Sequence, residues 1–278
     1  MSKSISNLVS TESNLGRFNL SNQNEIRKYW LERDPENRFL EDVLGDQALD
    51  WVKGQNKICV DSVGNPENSP YYNRILNILD SKDKIPYVSK INNYYYNFWQ
   101  DSSHKKGLLR RTTLESYLSS ETVWEPVLSI DDLCAKESEN WVYKHYTLLP
   151  KSSENQTKAI VLLALSRGGA DATVIREFDL NRKEFIVDNG FILPEAKSRV
   201  AWQSRDLLLV GTDLRDQQSL TDSGYPRVVR EWSRGTRIED SKIVFEGVKT
   251  DVAVTGYIVS IIVKPSHILF PVFVSLVR

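Results

Sequence analysis

Three histidines, His104, His145 and His267, are the imidazoles available to any Ser-His-Asp or His-ligated metal chemistry in this chain. His104 stands in a lysine-flanked turn (104–107, HKKG), His145 in a polar-aromatic run (KHYT), and His267 in an apolar C-terminal stretch. None has a serine and an acid in a recognisable arrangement, so each reads as structural or solvent-exposed. A serine hydrolase of the α/β type also needs a Gly-x-Ser-x-Gly elbow that strains the serine onto a strand-to-helix turn. No such pattern occurs. The nearest imitation, Leu165-Ser166-Arg167-Gly168-Gly169, lacks a glycine two positions before Ser166 and leads into more strand pattern. It reads as a tight turn between strands. There is no H-E-x-x-H, no C-x-x-C and no Asp-rich calcium loop, so no metal or cofactor is assigned, and no catalytic residue.

Other charged groups invite chemistry less directly. Arg227, Arg230, Arg234 and Arg237 would line one face of a helix and could hold phosphate. Val228-Val229, Trp232 and Gly235 instead fit a strand and turn, and Glu231, Glu239 and Asp240 are at hand for structural ion pairs. The acid pairs Asp131-Asp132 and Glu239-Asp240 sit in polar turns, where Asp favours caps and Asx-turns. Arg176-Glu177-Phe178-Asp179 puts charge into an otherwise apolar strand. Pairing between neighbouring sheets is expected there, with contact to a passing peptide as the alternative.

The totals narrow the partners. Lys+Arg 36 against Asp+Glu 37 leaves a net charge of -1, which attracts neither nucleic acid nor an anionic membrane over long range. The 40% hydrophobic and 26% charged fractions belong to an ordinary soluble protein of 278 residues, with Trp 7 and Tyr 12 suiting a β-architecture. Cys59 and Cys134 have no metal-ligand spacing and read as two buried reduced thiols rather than a disulfide. The first residues lack the apolar core and cleavage site of a secretory signal, and a cytoplasmic location is the expectation.

The elements follow from periodicity. Residues 1–23 are polar and Ser/Asn-rich, a loose terminus. Ile26, Tyr29, Trp30 and Arg33 fall at helical spacing until Pro35. A second helix starts near Asp46 as N-cap, with Leu49, Val52 and Asn56 on one side. In a third, Ser69 caps, Pro70 takes the first helical position, and Tyr72, Ile75, Leu76 and Leu79 follow. Residues 24–85 therefore form a helical arm. Beyond them the period changes from 3.6 to 2: Ile91 to Trp99 and Leu108 to Tyr117 read as strands, and Val123 to Leu128 as another with Pro126 at an edge. A short helical turn follows Ser129-Ile130-Asp131-Asp132-Leu133. From Ala159 to Val254 short apolar runs alternate with Gly168-Gly169, Asp188-Asn189-Gly190 and Ser223-Gly224 at all-β spacing. The fold class is mainly β. Blades of four strands need roughly 40–50 residues each, so residues 86–257 hold about three to four, too few for a closed ring.

Several of these stretches together resemble the prolyl oligopeptidase family of serine peptidases. They are DPENRFLED (34–42), ALDWVKGQN (48–56), YYYNFWQD (94–101), KGLLRRTTLESY (106–117), WEPVLSIDDL (124–133), ENWVY (139–143), LSRGGADATVIREFDL (165–180), GFILPEAKS (190–198), LVGTDL (209–214) and SLTDSGYPRVVREWSRGT (219–236). They occur in family order across about residues 25–255. The resemblance implies an N-terminal helical segment, then the first half of a seven-bladed β-propeller that limits access to short peptides. It also implies a catalytic α/β-hydrolase domain, which has no counterpart in these residues.

After Tyr257 the family-like pattern is lost. Residues 258–278 are almost wholly apolar, yet Lys264, Pro265, Ser266, His267 and Pro271 break them into pieces too short for a membrane helix. A shifted reading frame in a decayed gene is the simplest account; a divergent end packed on the open edge is the other. The expected function is thus the N-terminal propeller portion of a peptidase, inactive alone, with short peptides as partners and self-association through the open edge. The rival is a non-catalytic propeller-like module that binds a peptide or protein.

Overall fold

The computed structural model describes residues 34–42, 45–151, 157–216 and 218–258, the backbone of 272–277, and Lys28 and Glu32 individually. The expected loose terminus, the helical spacing of Ile26, Tyr29, Trp30 and Arg33, and His267 lie outside these residues. The chain divides into two compact units, residues 1–78 and 79–278.

In the first unit a 3₁₀ turn, Pro35–Glu41, precedes helix α1, Asp46–Val63. Gly45, in extended backbone, occupies the N-cap, so Asp46 is the first helical residue rather than the cap. Its carboxylate still complements the positive helix N-terminus from there. Only Ala48 of α1 is buried, while Leu49, Trp51, Val52, Ile58, Val60 and Val63 are exposed. Cys59 shares that exposure, contrary to the expected burial, because its helix offers no interior to enter. Cys134 is half-buried, with its thiol 3.5 Å from the Trp141 carbonyl, and both cysteines are free. Helix α2, Tyr72–Asp80, follows Ser69, whose hydroxyl accepts the Tyr71 N–H at 3.2 Å.

The second unit is a succession of antiparallel sheets. The first contains β1 (Ser89–Ile91), β2 (Tyr94–Trp99), β3 (Leu108–Thr112) and β4 (Glu125–Ser129) in that order. The run from Ile91 to Trp99 is therefore not one strand. Asn92, at φ 53, opens a two-residue turn that pairs Ile91 with Tyr94, a left-handed conformation that asparagine tolerates. The strand expected to reach Tyr117 ends at Thr112. Thr113 accepts the Ser116 N–H and starts helix α3, Leu114–Leu118. Ser129 likewise accepts the Asp132 N–H and starts helix α4, Ile130–Glu137. Helix α3 interrupts what the sequence reads as a strand, whereas α4 is the helical turn expected after Ser129. Pro126 lies in β4 at the sheet edge, opposite Arg110 at a register shift, where no ladder donor is required.

The second sheet contains β5 (Trp141–Leu148), β6 (Ile160–Arg167), β7 (Thr173–Asp179) and β8 (Glu184–Phe185), with β9 (Ile192–Ala196) also pairing β7. The third contains β10 (Arg199–Ser204), β11 (Leu207–Gly211), β12 (Val228–Ser233) and β13 (Lys242–Glu246). Finally β14 (Ala253–Ile258) pairs with β15 (Val272–Val277), so part of the apolar C-terminal stretch adds a strand.

Period-2 alternation explains how these sheets stack. Successive β6 residues point to opposite faces. Ile160, Leu162 and Ala164 join Leu208, Val210, Trp202 and Trp232 in a core shared with the third sheet. Val161 and Leu163 join Ile91, Tyr96, Leu109 and Val127 in a core shared with the first. β6 is consequently buried on both faces up to Ser166, and each such Leu or Ile contributes about 1.5–3 kcal/mol of burial. On β11, Leu208 and Val210 face the second sheet while Leu209 packs with Val229 and Val254. A Cβ on Gly256 would lie 2.7 Å from a Val229 methyl, so glycine permits β14 to approach this closely. The result is a mainly β array of stacked, unclosed sheets, in agreement with the fold class read from the sequence.

Candidate functional site

The residues that sequence reading singled out are mostly committed to holding the array together. Ser166 is fully buried in β6, and its hydroxyl donates to the Ala170 carbonyl at 2.8 Å across the Arg167–Gly168–Gly169 turn. His104 Nδ1 lies 3.0 Å from Asp101 Oδ1. Asp101 also accepts the Trp99 indole N–H at 2.9 Å and the backbone N–H groups of Ser103 and His104. Burial alone would raise the Asp101 pKa, but these donors outweigh it and hold the carboxyl far below its ordinary range. That is a locked turn. Asp131 accepts the backbone N–H groups of Lys106 and Gly107, and Glu239 and Asp240 belong to a 3₁₀ turn beside Arg237.

The four arginines do divide between strand and turn. Arg227 pairs with Glu246 at 2.7 Å, and Arg230 donates to the Ser241 carbonyl. Arg234 donates to Glu177 at 2.9 Å, to Asp206 at 2.6 Å, and to the Asn189 and Arg205 carbonyls. Glu177 is fully buried, is also paired with Arg205, and accepts the Phe191 N–H at 2.9 Å. Arg234 stacks 4.3 Å over the Phe191 ring, which packs edge-on against Trp202 and Trp232. Glu177 thus clasps the second sheet to the third. Arg176 pairs with Glu137 of α4 at 2.8 Å. Glu177 makes the expected pairing between sheets, while Arg176 pairs with a helix. Arg111, held by Glu125 of its own sheet, makes the equivalent link from the first sheet to the second through the Leu180 carbonyl at 3.0 Å.

A different surface emerges where the first strands of the sheets converge. The Tyr146 hydroxyl of β5 bonds Ser89 of β1, the Trp202 indole of β10 donates to the Thr147 carbonyl of β5 at 3.0 Å, and β14 packs on β10. These contacts gather the first strands of successive sheets along one side of the stack, the inner edge. Near β1 it opens into a cleft of about 330 Å³ lined by Tyr87, Tyr96, Tyr143, His145 and Tyr146.

Further along, the inner edge is cationic. Lys144 and His145 lie on β5, Lys197 and Arg199 at the start of β10, and Tyr225 and Asp171 on flanking loops. The Tyr225 hydroxyl donates to Asp171 at 2.7 Å. That bond first, with the charges of Lys197, Lys144 and Arg199, lowers the Asp171 pKa against the opposing effect of desolvation. His145 is pushed below its ordinary value by desolvation and then by the positive charge of Arg199. Lys197 lies 4.3 Å over the Tyr225 ring. Sequence reading missed Lys144, Lys197, Arg199, Asp171 and Tyr225 as a group, because five separated positions form no local spacing. The arrangement has the charge to bind an anion. Among the described residues no group of three His, Cys, Asp or Glu is placed to hold a metal ion, and no helix is long and apolar enough to cross a membrane.

Residues 32–262 match the family model described as prolyl oligopeptidase, N-terminal β-propeller domain. An uncharacterized peptidase of Sinorhizobium fredii is 36% identical over 217 residues, covering 77% of this chain and 29% of that one. An uncharacterized peptidase of Rickettsia prowazekii is 30% identical over 230 residues, covering 80% and 31%. Among solved structures, a post-proline cleaving enzyme from Rickettsia typhi superposes with a TM-score of 0.70 at 29% identity, covering 81% of this chain and 33% of that one. A prolyl endopeptidase at 14% identity shares the fold, with a TM-score of 0.55. The chain spans about a third of the length of these relatives.

Proposed function

The chain belongs to the prolyl oligopeptidase family, matching its N-terminal β-propeller domain, and on that premise we propose that these 278 residues are the access-limiting portion of a short-peptide peptidase, inactive by themselves. The observation that carries the reading is the stack of unclosed sheets with its polar groups consumed in sheet-to-sheet clasps. Ser166 and the His104–Asp101 pair, the groups most easily mistaken for a triad, are locked in turns. The cleavage the family name implies needs a serine nucleophile, a histidine base and an orienting acid. The expected result is no turnover of a proline-containing chromogenic peptide by the purified chain. Turnover that a serine-directed reagent abolishes would overturn the proposal.

The same reading puts a helical arm at 24–85, a partial propeller at 86–257 and an apolar divergent end at 258–278, in a cytoplasmic chain. Trp51, Val52, Ile75, Leu76 and Leu79 support it from the arm: each is about 40% exposed or more, an apolar surface suited to packing against a further domain. An uncovered sheet face and free strand edges favour self-association. Light scattering should find oligomers at micromolar concentration, and a monodisperse, cooperatively melting monomer would count against that part.

A further inference from the structure

Two kinds of arginine occur in the stacked sheets, and the difference points to a binding site. Arg234 and Arg111 have their donors consumed by carboxylates and carbonyls. Arg199 is exposed and, among the described residues, makes a single hydrogen bond, a long one of 3.5 Å to the carbonyl of Ser198. Its guanidinium lies 5.5 Å from the Tyr225 ring, so the aromatic face steadies it without satisfying its N–H groups. Lys197 reaches the nearest carboxylate, Asp171, only at 3.9 Å. Lys144 donates to the Gly169 carbonyl at 2.9 Å, which holds it at the same rim but leaves its charge uncompensated. Asp171, itself exposed and bonded to Tyr225, is the acid that faces these cations among the described residues.

We propose that Arg199 and Lys197, with Lys144 alongside and Tyr225 as a platform, bind the carboxylate of a peptide at the inner edge of the sheets. A guanidinium with a free fork takes a carboxylate through two parallel N–H···O bonds, and a flanking ammonium adds attraction without directional demand. Asp171 orients Lys197 and the Tyr225 hydroxyl rather than neutralising the site, because three cations act on it. The apolar and tyrosine-rich cleft between β1 and β5 adjoins through His145, and gives the rest of a short peptide a surface to lie on. The assignment rests on the proposal that peptides pass this edge. It deepens that proposal: selection would favour peptides with a carboxylate ahead of neutral or amidated ones. The carboxylate has two sources, a free C-terminus or an acidic side chain, and both present the same anion to Arg199.

Fluorescence anisotropy on the whole chain tests it with three labelled tetrapeptides of one neutral, proline-containing sequence. One ends in a free carboxylate, one is amidated, and one is amidated with an internal Glu. The free acid should bind about tenfold more tightly than the neutral amide, and the preference should fall as salt rises. Tight binding of the Glu-containing amide would assign the anion to side chains as well, and supports the site. K197Q combined with R199Q should abolish the difference, whereas R237Q, on an exposed arginine paired elsewhere, should leave it. Arg199 is exposed and Lys197 half-buried, and a circular dichroism spectrum matching the parent shows that the sheets persist. Equal binding of all three peptides, or a preference that survives K197Q/R199Q, overturns the site. Hydrolysis of any of the three peptides would instead overturn the inactivity proposed above, so the two failures are distinct.

Discussion

Replacing Glu177 by Ala is expected to destabilise the stacked sheets by about 3–5 kcal/mol, the cost of leaving buried cations without their counter-charge. Glu177 is fully buried in β7, and its two oxygens serve Arg205, Arg234 and the Phe191 N–H. Removing the carboxylate strands a guanidinium that is 11% exposed and stacked on Phe191. Glu177→Gln keeps the shape and part of the hydrogen bonding, so it should cost less than Ala but far more than a surface change. Glu231→Gln supplies that comparison. Its partner Lys242 is 3.4 Å away and 76% exposed, so the loss should stay under about 1 kcal/mol. Arg234→Met alone should be costly too, yet Arg234→Met with Glu177→Leu should cost less than the sum, since both singles break one interaction. Urea unfolding read from tryptophan fluorescence measures all of these, because Trp202 and Trp232 sit in the adjoining core. A Glu177→Ala midpoint no lower than that of Glu231→Gln would show that the clasp contributes nothing.

Gly190→Ala is the second large effect, expected at about 3 kcal/mol, the upper end of overpacking and strain. A Cβ at Gly190 would sit 2.0 Å from the Ile186 carbonyl oxygen, a backbone atom that cannot rotate away. Relief requires shifting the 186–191 segment, which wraps Glu177: Ile186 N–H donates to the Glu177 carbonyl, and the Phe191 carbonyl accepts the Glu177 N–H. Damage at Gly190 therefore reaches the clasp. The same chemical change at Gly54, inside α1 with nothing within 4 Å of its built Cβ, should stabilise by about 1 kcal/mol through helix propensity. Opposite signs for the two Gly→Ala substitutions in thermal melts would confirm that close approach sets the effect. A Gly190→Ala melt equal to the parent's would refute it.

These two residues also mark how far sequence reading reaches. Asp188-Asn189-Gly190 was legible as a break between strands, but not the division of labour within it. Asn189 takes the left-handed φ of 56, and Gly190 is required by Ile186 instead. A strand end was misjudged where a short polar side chain could cap: Thr113 captures the Ser116 N–H and turns the chain into a helix, while the helical turn after Ser129 was legible. Such captures compete with strand pairing over energies of about 1 kcal/mol, which composition cannot resolve.

What the chain determined alone was whatever repeats along it. Short apolar runs separated by turn residues dictate short antiparallel strands, and the unbroken apolar runs of β6 and β11 fit sheets covered on both faces. The order of motifs was enough to place it in its family. Only the tertiary structure decided which charges meet. Glu177 lies 57 residues from Arg234, and Lys144 lies 55 from Arg199. Pairing at such distances is set by how sheets stack, not by spacing, since a side chain's reach is a few ångströms while the chain between is free to fold. Stacking consumed the donors of Arg234 and left those of Arg199 open, and that difference separates a structural arginine from one placed to bind.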